Sequence, residues 1–182
     1  RTVQTRGEAL PVLLDETLLA LETAAGAIWL YQPHLDELHL AVGRGWPAEV
    51  FAQPLKAGED IAGAAFASGE TLVSNDFLGD VQRRRYPARG TRPLRPIPLG
   101  WGGVCLPLRS GEVTAGVLCV CLPAPRMLEP EQLQLLESLA EMGGAALHRM
   151  SLHDEAVQQL EQLQALHRID QAISASVDLR IT

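Results

Sequence analysis

The residues of this 182-residue chain with the most chemical potential are Cys105, Cys119 and Cys121. A thiol acts as nucleophile or redox centre in its thiolate form, which requires a partly exposed, electropositive setting. All three instead stand inside apolar runs, over 104–108 and 113–122, so the sequence predicts buried, unpaired thiols. Cys119 and Cys121 are two apart and therefore share one face of a strand. An odd number of cysteines without a secretory signal predicts a reducing, cytoplasmic setting. The histidines, His34, His39, His148, His153 and His167, include no pair four apart, the spacing that puts two imidazoles on one helical face for a metal. The expectation is no metal site.

Arginine is the second chemical feature. Lys56 is the only lysine, and Arg83, Arg84, Arg85, Arg89, Arg92 and Arg95 crowd into 77–101 against Asp80 alone. Guanidinium groups bind anions by paired hydrogen bonds, so this stretch reads either as a lid over an anionic ligand or as a solvated loop. A net charge of -7 and few aromatics beside the arginines, Tyr86 and Trp101, exclude a general nucleic-acid binder. No apolar run approaches the ~18 residues that span a bilayer, so no membrane partner is expected.

The apolar spacing outlines the scaffold. Leu10, Leu13, Leu14, Leu18 and Leu21 recur at three- and four-residue intervals and predict an amphipathic helix over 7–23. Strands follow over 27–31 and 37–44, the second with Leu38, Leu40 and Val42 alternating against His39 and Ala41. A helical turn over 48–51, a lead-in over 55–60 and a short helix over 61–68 come next, with Asp60 as N-cap and Gly69 as stop. A strand over 71–74 is closed by Asn75 and Asp76. The proline-bearing stretch 77–101 reads as one long irregular loop. The runs 104–108 and 113–122 form a hairpin turning at Ser110-Gly111. Both are apolar at nearly every position, which fits the middle of a sheet covered on both faces.

After Pro130 the pattern is helical and does not stop. Leu133, Leu136, Leu139, Ala140, Met142, Ala146, Leu147 and Met150 form a broad stripe, broken only by Gly143-Gly144, each glycine costing ~1 kcal/mol of helix propensity. Leu152, Ala156, Leu163, Leu166 and Ile173 then fit a heptad seam with Gln159 and Asp170 as polar breaks. A domain over 1–150 and a linker helix over 151–182 are predicted. The seam predicts a parallel homodimer, because nothing else in the domain is left to cover it. The fold class is α+β: a central antiparallel sheet of five or six strands, the first and last helices on one face, and a pocket on the other under the 77–101 loop.

Three segments carry a resemblance to a known family. Ala-Ile-Trp-Leu-Tyr over 27–31 is similar to the first strand of the GAF domain, a small-molecule sensor module related in fold to PAS domains. The block over 58–76, glycine, helix, Ser-Gly, strand, Asp, resembles that family's most recognisable stretch. Cys105-Leu106-Pro107-Leu108 followed by Ala115-Gly116-Val117-Leu118 resembles its Pro-Leu and Gly-Val-Leu hairpin. The likeness covers about 7–150. The resemblance implies a sensory, non-catalytic domain of a bacterial signal-transduction protein, such as a two-component system. It also implies a pocket for a small effector, with no cofactor identified. The residues expected at the pocket, those of the arginine-bearing stretch among them, are Ile61, Phe66, Asp76, Phe77, Arg84, Arg85, Tyr86, Trp101, Cys105 and Cys119. The stretch 166–179 resembles the lead-in helix of another GAF domain, which implies a tandem arrangement and a following signalling domain. Two alternatives stay open: a cysteine-dependent enzyme like the free methionine sulfoxide reductases of this family, and a dimerisation module without a ligand. The Asn-Lys, Phe and Asp-Glu signature of the cyclic-nucleotide binders is matched only in part, by Asn75, Asp76 and Phe77, without the lysine or the downstream Asp-Glu pair.

Overall fold

The structure, a computed structural model, describes residues 6–51, 53–83 and 97–178. In chain order the elements are α1 (Arg6–Ala20), β1 (Ala25–Gln32), β2 (Glu37–Arg44), α2 (Ala48–Phe51), β3 (Leu55–Lys56), α3 (Asp60–Ser68), β4 (Leu72–Ser74), α4 (Phe77–Gln82), β5 (Trp101–Ser110), β6 (Val113–Pro123) and α5 (Pro130–Asp178). The strands form one six-stranded sheet in the order β3-β2-β1-β6-β5-β4, every neighbouring pair antiparallel. This is the α+β class predicted from the sequence. By compactness the chain falls into two units, Arg1–Leu147 and His148–Thr182.

In the first unit the period of two along the central strands sorts side chains into two cores. Val104, Leu106, Leu108, Leu118, Val120 and Ile28 face α1 and α5, where Leu10, Leu14, Leu18, Leu21, Leu136, Ala140 and Leu147 meet them. Cys105, Val117, Cys119, Cys121, Ala27 and Trp29 face the other way, against Ile61, Ala62 and Ala65 of α3 and Phe77 of α4. The hairpin is thus buried on both sides, and its apolar runs are explained.

Several sequence expectations change in detail. Ser110 pairs with Val113, so the two-residue turn is Gly111-Glu112, with Gly111 at φ +61° in the region that favours glycine. The lead-in at 55–60 contains β3, a two-residue strand on the edge of β2. Asp60 is not the N-cap of α3: that place falls to Glu59, whose carboxylate instead accepts the Lys56 N–H at 3.0 Å. Asp60 opens the helix at φ +61° and accepts the Ile61 N–H at 2.6 Å. Gly69 ends α3 in the left-handed region, φ +68°, as a C-terminal glycine does. The predicted loop begins with α4 and ends in β5, so neither Phe77 nor Trp101 is irregular. Asp76 starts α4 by accepting the Gly79 N–H at 2.9 Å. Residues 84–96 of that stretch lie outside the described residues.

The paired glycines of α5 have a packing cause. A Cβ on Gly144 would overlap the backbone oxygen, nitrogen and carbonyl carbon of Arg109, so α5 rests directly on β5 there. A Cβ on Gly143 would meet only the tips of Leu13 and Leu108, at 3.0 and 3.4 Å. The second unit consists, among the described residues, of the remainder of α5. Along it Leu152, Val157, Leu160, Leu163, Leu166 and Ile169 are between 40% and 63% exposed.

The two glycines are expected to respond differently to alanine. Gly144→Ala should lower the unfolding free energy by about 1–3 kcal/mol or more, because backbone cannot yield to the new methyl. Gly143→Ala should be near neutral, since leucine tips can move and the helix gains up to ~1 kcal/mol of propensity. Urea unfolding of both variants checks this; equal losses would contradict the close approach at Arg109.

Candidate functional site

The face of the sheet opposite α1 and α5 holds a cavity of about 40 Å³. Its walls are Ala27 and Trp29 from β1, Cys105 from β5, Cys119 and Cys121 from β6, Asp60, Ile61 and Ala62 from α3, and Phe77 from α4, with Trp46 and Ile97 from connecting segments. Water needs roughly 10–15 Å³, so this is room for a few heavy atoms, far below the ~300–1,000 Å³ of sites for drug-sized ligands. Aromatic rings narrow it: Trp46 meets Phe77 edge-on at 6.2 Å between centroids and Trp101 at 5.7 Å.

Of the residues expected at the pocket, Ile61, Phe77, Cys105 and Cys119 come together on this wall. Phe66 belongs to the same apolar cluster but stacks on Tyr31, 4.6 Å away, to one side of the cavity. Trp101 backs Trp46 without lining the space. Asp76 is occupied in capping α4 and stands 3.5 Å from Arg83. Arg84, Arg85 and Tyr86 lie outside the described residues. Sequence reasoning left out Cys121, Trp29, Trp46, Asp60, Ala62, Ala27 and Ile97. Cys121 was recoverable from its two-residue spacing to Cys119, and Trp29 from its alternation with Ala27. Trp46 and Ile97 lie outside regular strands and helices and carry no periodic signal.

Below α4 the buried Asp80 accepts the Ser74 hydroxyl at 2.6 Å, and the Asp76 N–H donates to Ser74 Oγ at 3.2 Å. These bonds fix α4 on the end of β4 and so place Phe77. On the opposite face an open groove of about 700 Å³ runs between α5 and the hairpin, lined among others by Arg109, Glu137 and Glu141. The Arg109 guanidinium donates to the Gly69 and Gly111 carbonyls. With its cation engaged and its glutamates in solvent, that groove lacks the apolar enclosure of a small-molecule site.

The thiols are the reactive groups of the cavity. Cys105 and Cys119 are opposite each other across the β5–β6 ladder, their sulfurs 2.9 Å apart, and all three cysteines are free and buried. Burial pushes the Cys105 thiol well up, and the bond to Cys119 together with the charges of Cys119, Cys121 and Asp60 add to it. Burial likewise raises Cys121, with Cys119 adding to it. Among the described residues no three His, Cys, Asp or Glu side chains are grouped to hold a metal ion, and no helix is long and apolar enough to cross a membrane.

The family model of the GAF domain matches residues 4–148. No curated protein matches the sequence significantly. Among solved structures, the GAF domain of an Acinetobacter phosphoenolpyruvate-protein phosphotransferase aligns with a TM-score of 0.66 at 16% identity, over 86% of this chain and 87% of that one. The second GAF domain of DevS from Mycobacterium smegmatis aligns at 0.56 and 20% identity, over 81% and 94%. The fRMsr of Staphylococcus aureus in its reduced form aligns at 0.53 and 17% identity, over 74% and 80%. These likenesses establish a shared fold.

The raised thiols have two measurable consequences. Alkylation by iodoacetamide should be far slower in the native protein than in urea at neutral pH, because thiolate is scarce and the cavity is tight. Stability should fall as pH rises above about 8.5, where unfolded thiols ionise while Cys105 and Cys121 stay protonated in the fold. The slope is roughly 1 kcal/mol per pH unit for each of the two. Fast native labelling of two or more cysteines, or stability flat through this range, would contradict the buried arrangement.

Proposed function

From the premise that the chain belongs to the GAF domain family, we propose that it is the sensing part of a multidomain bacterial signalling protein and relays through α5 paired with α5 of a second copy. GAF domains are typically sensory or regulatory modules and usually non-catalytic. The observation that carries the relay is the exposed seam on the second unit. Leu152, Ala156, Leu163 and Leu166 fall at heptad positions on a helix that, among the described residues, has no other element of its unit to cover them. Leu160 and Ile169 widen the stripe. The side chain of Ile173 lies outside the described residues. Covering a Leu or Ile side chain contributes about 1.5–3 kcal/mol, so a second, parallel helix is the economical partner. Gln159 then meets its own counterpart and weakens the seam, which suits a pair that shifts between two packings; the side chain of Asp170 lies outside the described residues. A signalling domain following in the same chain receives that shift, and a tandem GAF arrangement fits the pattern over 166–179.

The effector site of this reading is the cysteine-lined cavity, with Ile61, Phe77, Cys105 and Cys119 as its wall. Its size limits the effector to a few heavy atoms. The same size favours a second reading, a dimerisation module whose pocket is filled by its own side chains, Trp46 and Phe77 first. A retained small molecule in the native mass spectrum of freshly purified protein supports the effector; bare chain in repeated preparations supports the module.

Sedimentation tests the relay. The chain should be a dimer at about 100 µM, a generous concentration for a weak pair, and Leu163→Asp with Leu166→Asp should make it monomeric while leaving the first unit folded. A monomeric native chain, or a dimer that survives both substitutions, would contradict the helix pair.

A further inference from the structure

We infer that Cys105 and Cys119 close into a reversible intrachain disulfide when the protein meets a hydroperoxide. The two are direct cross-strand partners, free thiols with sulfurs 2.9 Å apart. Opposed residues of an antiparallel pair have Cα atoms about 4.5–5.5 Å apart, inside the roughly 4.4–6.8 Å that a disulfide spans, so the strands need not move to make the bond. Cys121 stands opposite Gly103, which brings no thiol, so the geometry selects one pair out of three cysteines. The inference does not depend on the effector reading, since it concerns the strand pair whether or not a ligand binds beside it.

The cavity supplies access. Cys105 and Cys119 both line it, and its 40 Å³ admits hydrogen peroxide, about the bulk of two waters. Cys119 is 7% exposed and Cys105 1%, so Cys119 meets the oxidant first. Its thiol gives up its proton and the sulfur, as thiolate, attacks one peroxide oxygen; the O–O bond breaks, and the other oxygen leaves as water with that proton, giving a sulfenic acid. The Cys105 sulfur then attacks the Cys119 sulfur, the S–O bond breaks, and the hydroxyl leaves as a second water with the Cys105 proton. The thiols together give up two electrons and the peroxide takes them. A thiol reductant reverses the bond by exchange.

The test exposes the native full chain to hydrogen peroxide, unfolds it, alkylates with N-ethylmaleimide and weighs it intact and after digestion. The expected result is loss of two of the three alkylatable thiols, a chain lighter by both thiol hydrogens, a linked peptide joining 105 to 119, and recovery of all three thiols with dithiothreitol. Cys121→Ser should close as the native protein does, and Cys119→Ser should give no cross-link. Three alkylatable thiols after peroxide, oxygen added to single cysteines without a cross-link, or a link that uses Cys121 or a second chain would overturn the inference. The native-protein result decides by itself, so the test stands even if a variant fails to fold.

Discussion

One hairpin must fill two cores at once, and most of the first unit follows from that. Along β5 and β6 alternate residues belong to opposite faces, Val104, Leu106, Leu108, Leu118 and Val120 on one, Cys105, Val117, Cys119 and Cys121 on the other. A slip of one residue in the pairing would exchange the sets, putting thiols among the leucines of α1 and α5 and branched aliphatics into the cavity wall. Such a slip is resisted from both sides, because each face is packed. Small residues also hold the register: α5 can lie on Arg109 only because Gly144 has no side chain.

On the cysteine face the same logic sets the site. The sheet offers small and polarizable groups, Ala27 and the cysteines, where large aliphatics would close the space. The helices α3 and α4 bring Ile61 and Phe77 down onto them. Asp76 and Asp80 do their work in holding α4, through the Gly79 amide and the Ser74 hydroxyl, and are structural neighbours of the cavity rather than part of it. Burial, with Asp60 in the same wall adding to it at Cys105, keeps Cys105 and Cys121 protonated in the resting state. Whatever chemistry the thiols have depends on a small reagent coming to them.

The sequence made the large periodic elements legible. Alternation located β2, continuous apolar runs located β1 and the hairpin, leucine spacing located α1, and the unbroken stripe after Pro130 located α5. The six-residue α4 and two-residue β3 were not legible, because neither is long enough to show a period. The cap of α3 shifted by one residue because Asp60 adopts a positive φ that no pattern announces. For the site, strand parity put Cys119 and Cys121 on one face, and Ile61, Phe77, Cys105 and Cys119 were among the residues expected at the pocket, Phe77 from a stretch read as a loop. Phe66 and Trp101 are near it for the same reason but are turned onto Tyr31 and Trp46. Trp46 and Ile97 reach the cavity from segments whose course only tertiary packing decides. Gly143-Gly144 read as a weak point of a helix; its purpose, contact with a strand distant in sequence, became visible only in three dimensions.

A hairpin shared by two cores also gives a physical route from the cavity to α5. Close-packed interiors pass on small displacements rather than absorbing them, so a change among the cysteines has to be felt by Leu136 and Leu147, which sit in the other core. The most direct measurement is a methyl-labelled leucine spectrum of the native protein and of Cys119→Ala. Chemical shifts report local packing independently of any change in overall stability. The account predicts that Leu136 and Leu147 move along with residues of the cysteine face. Shifts confined to that face, with the methyls of α5 unmoved, would contradict it.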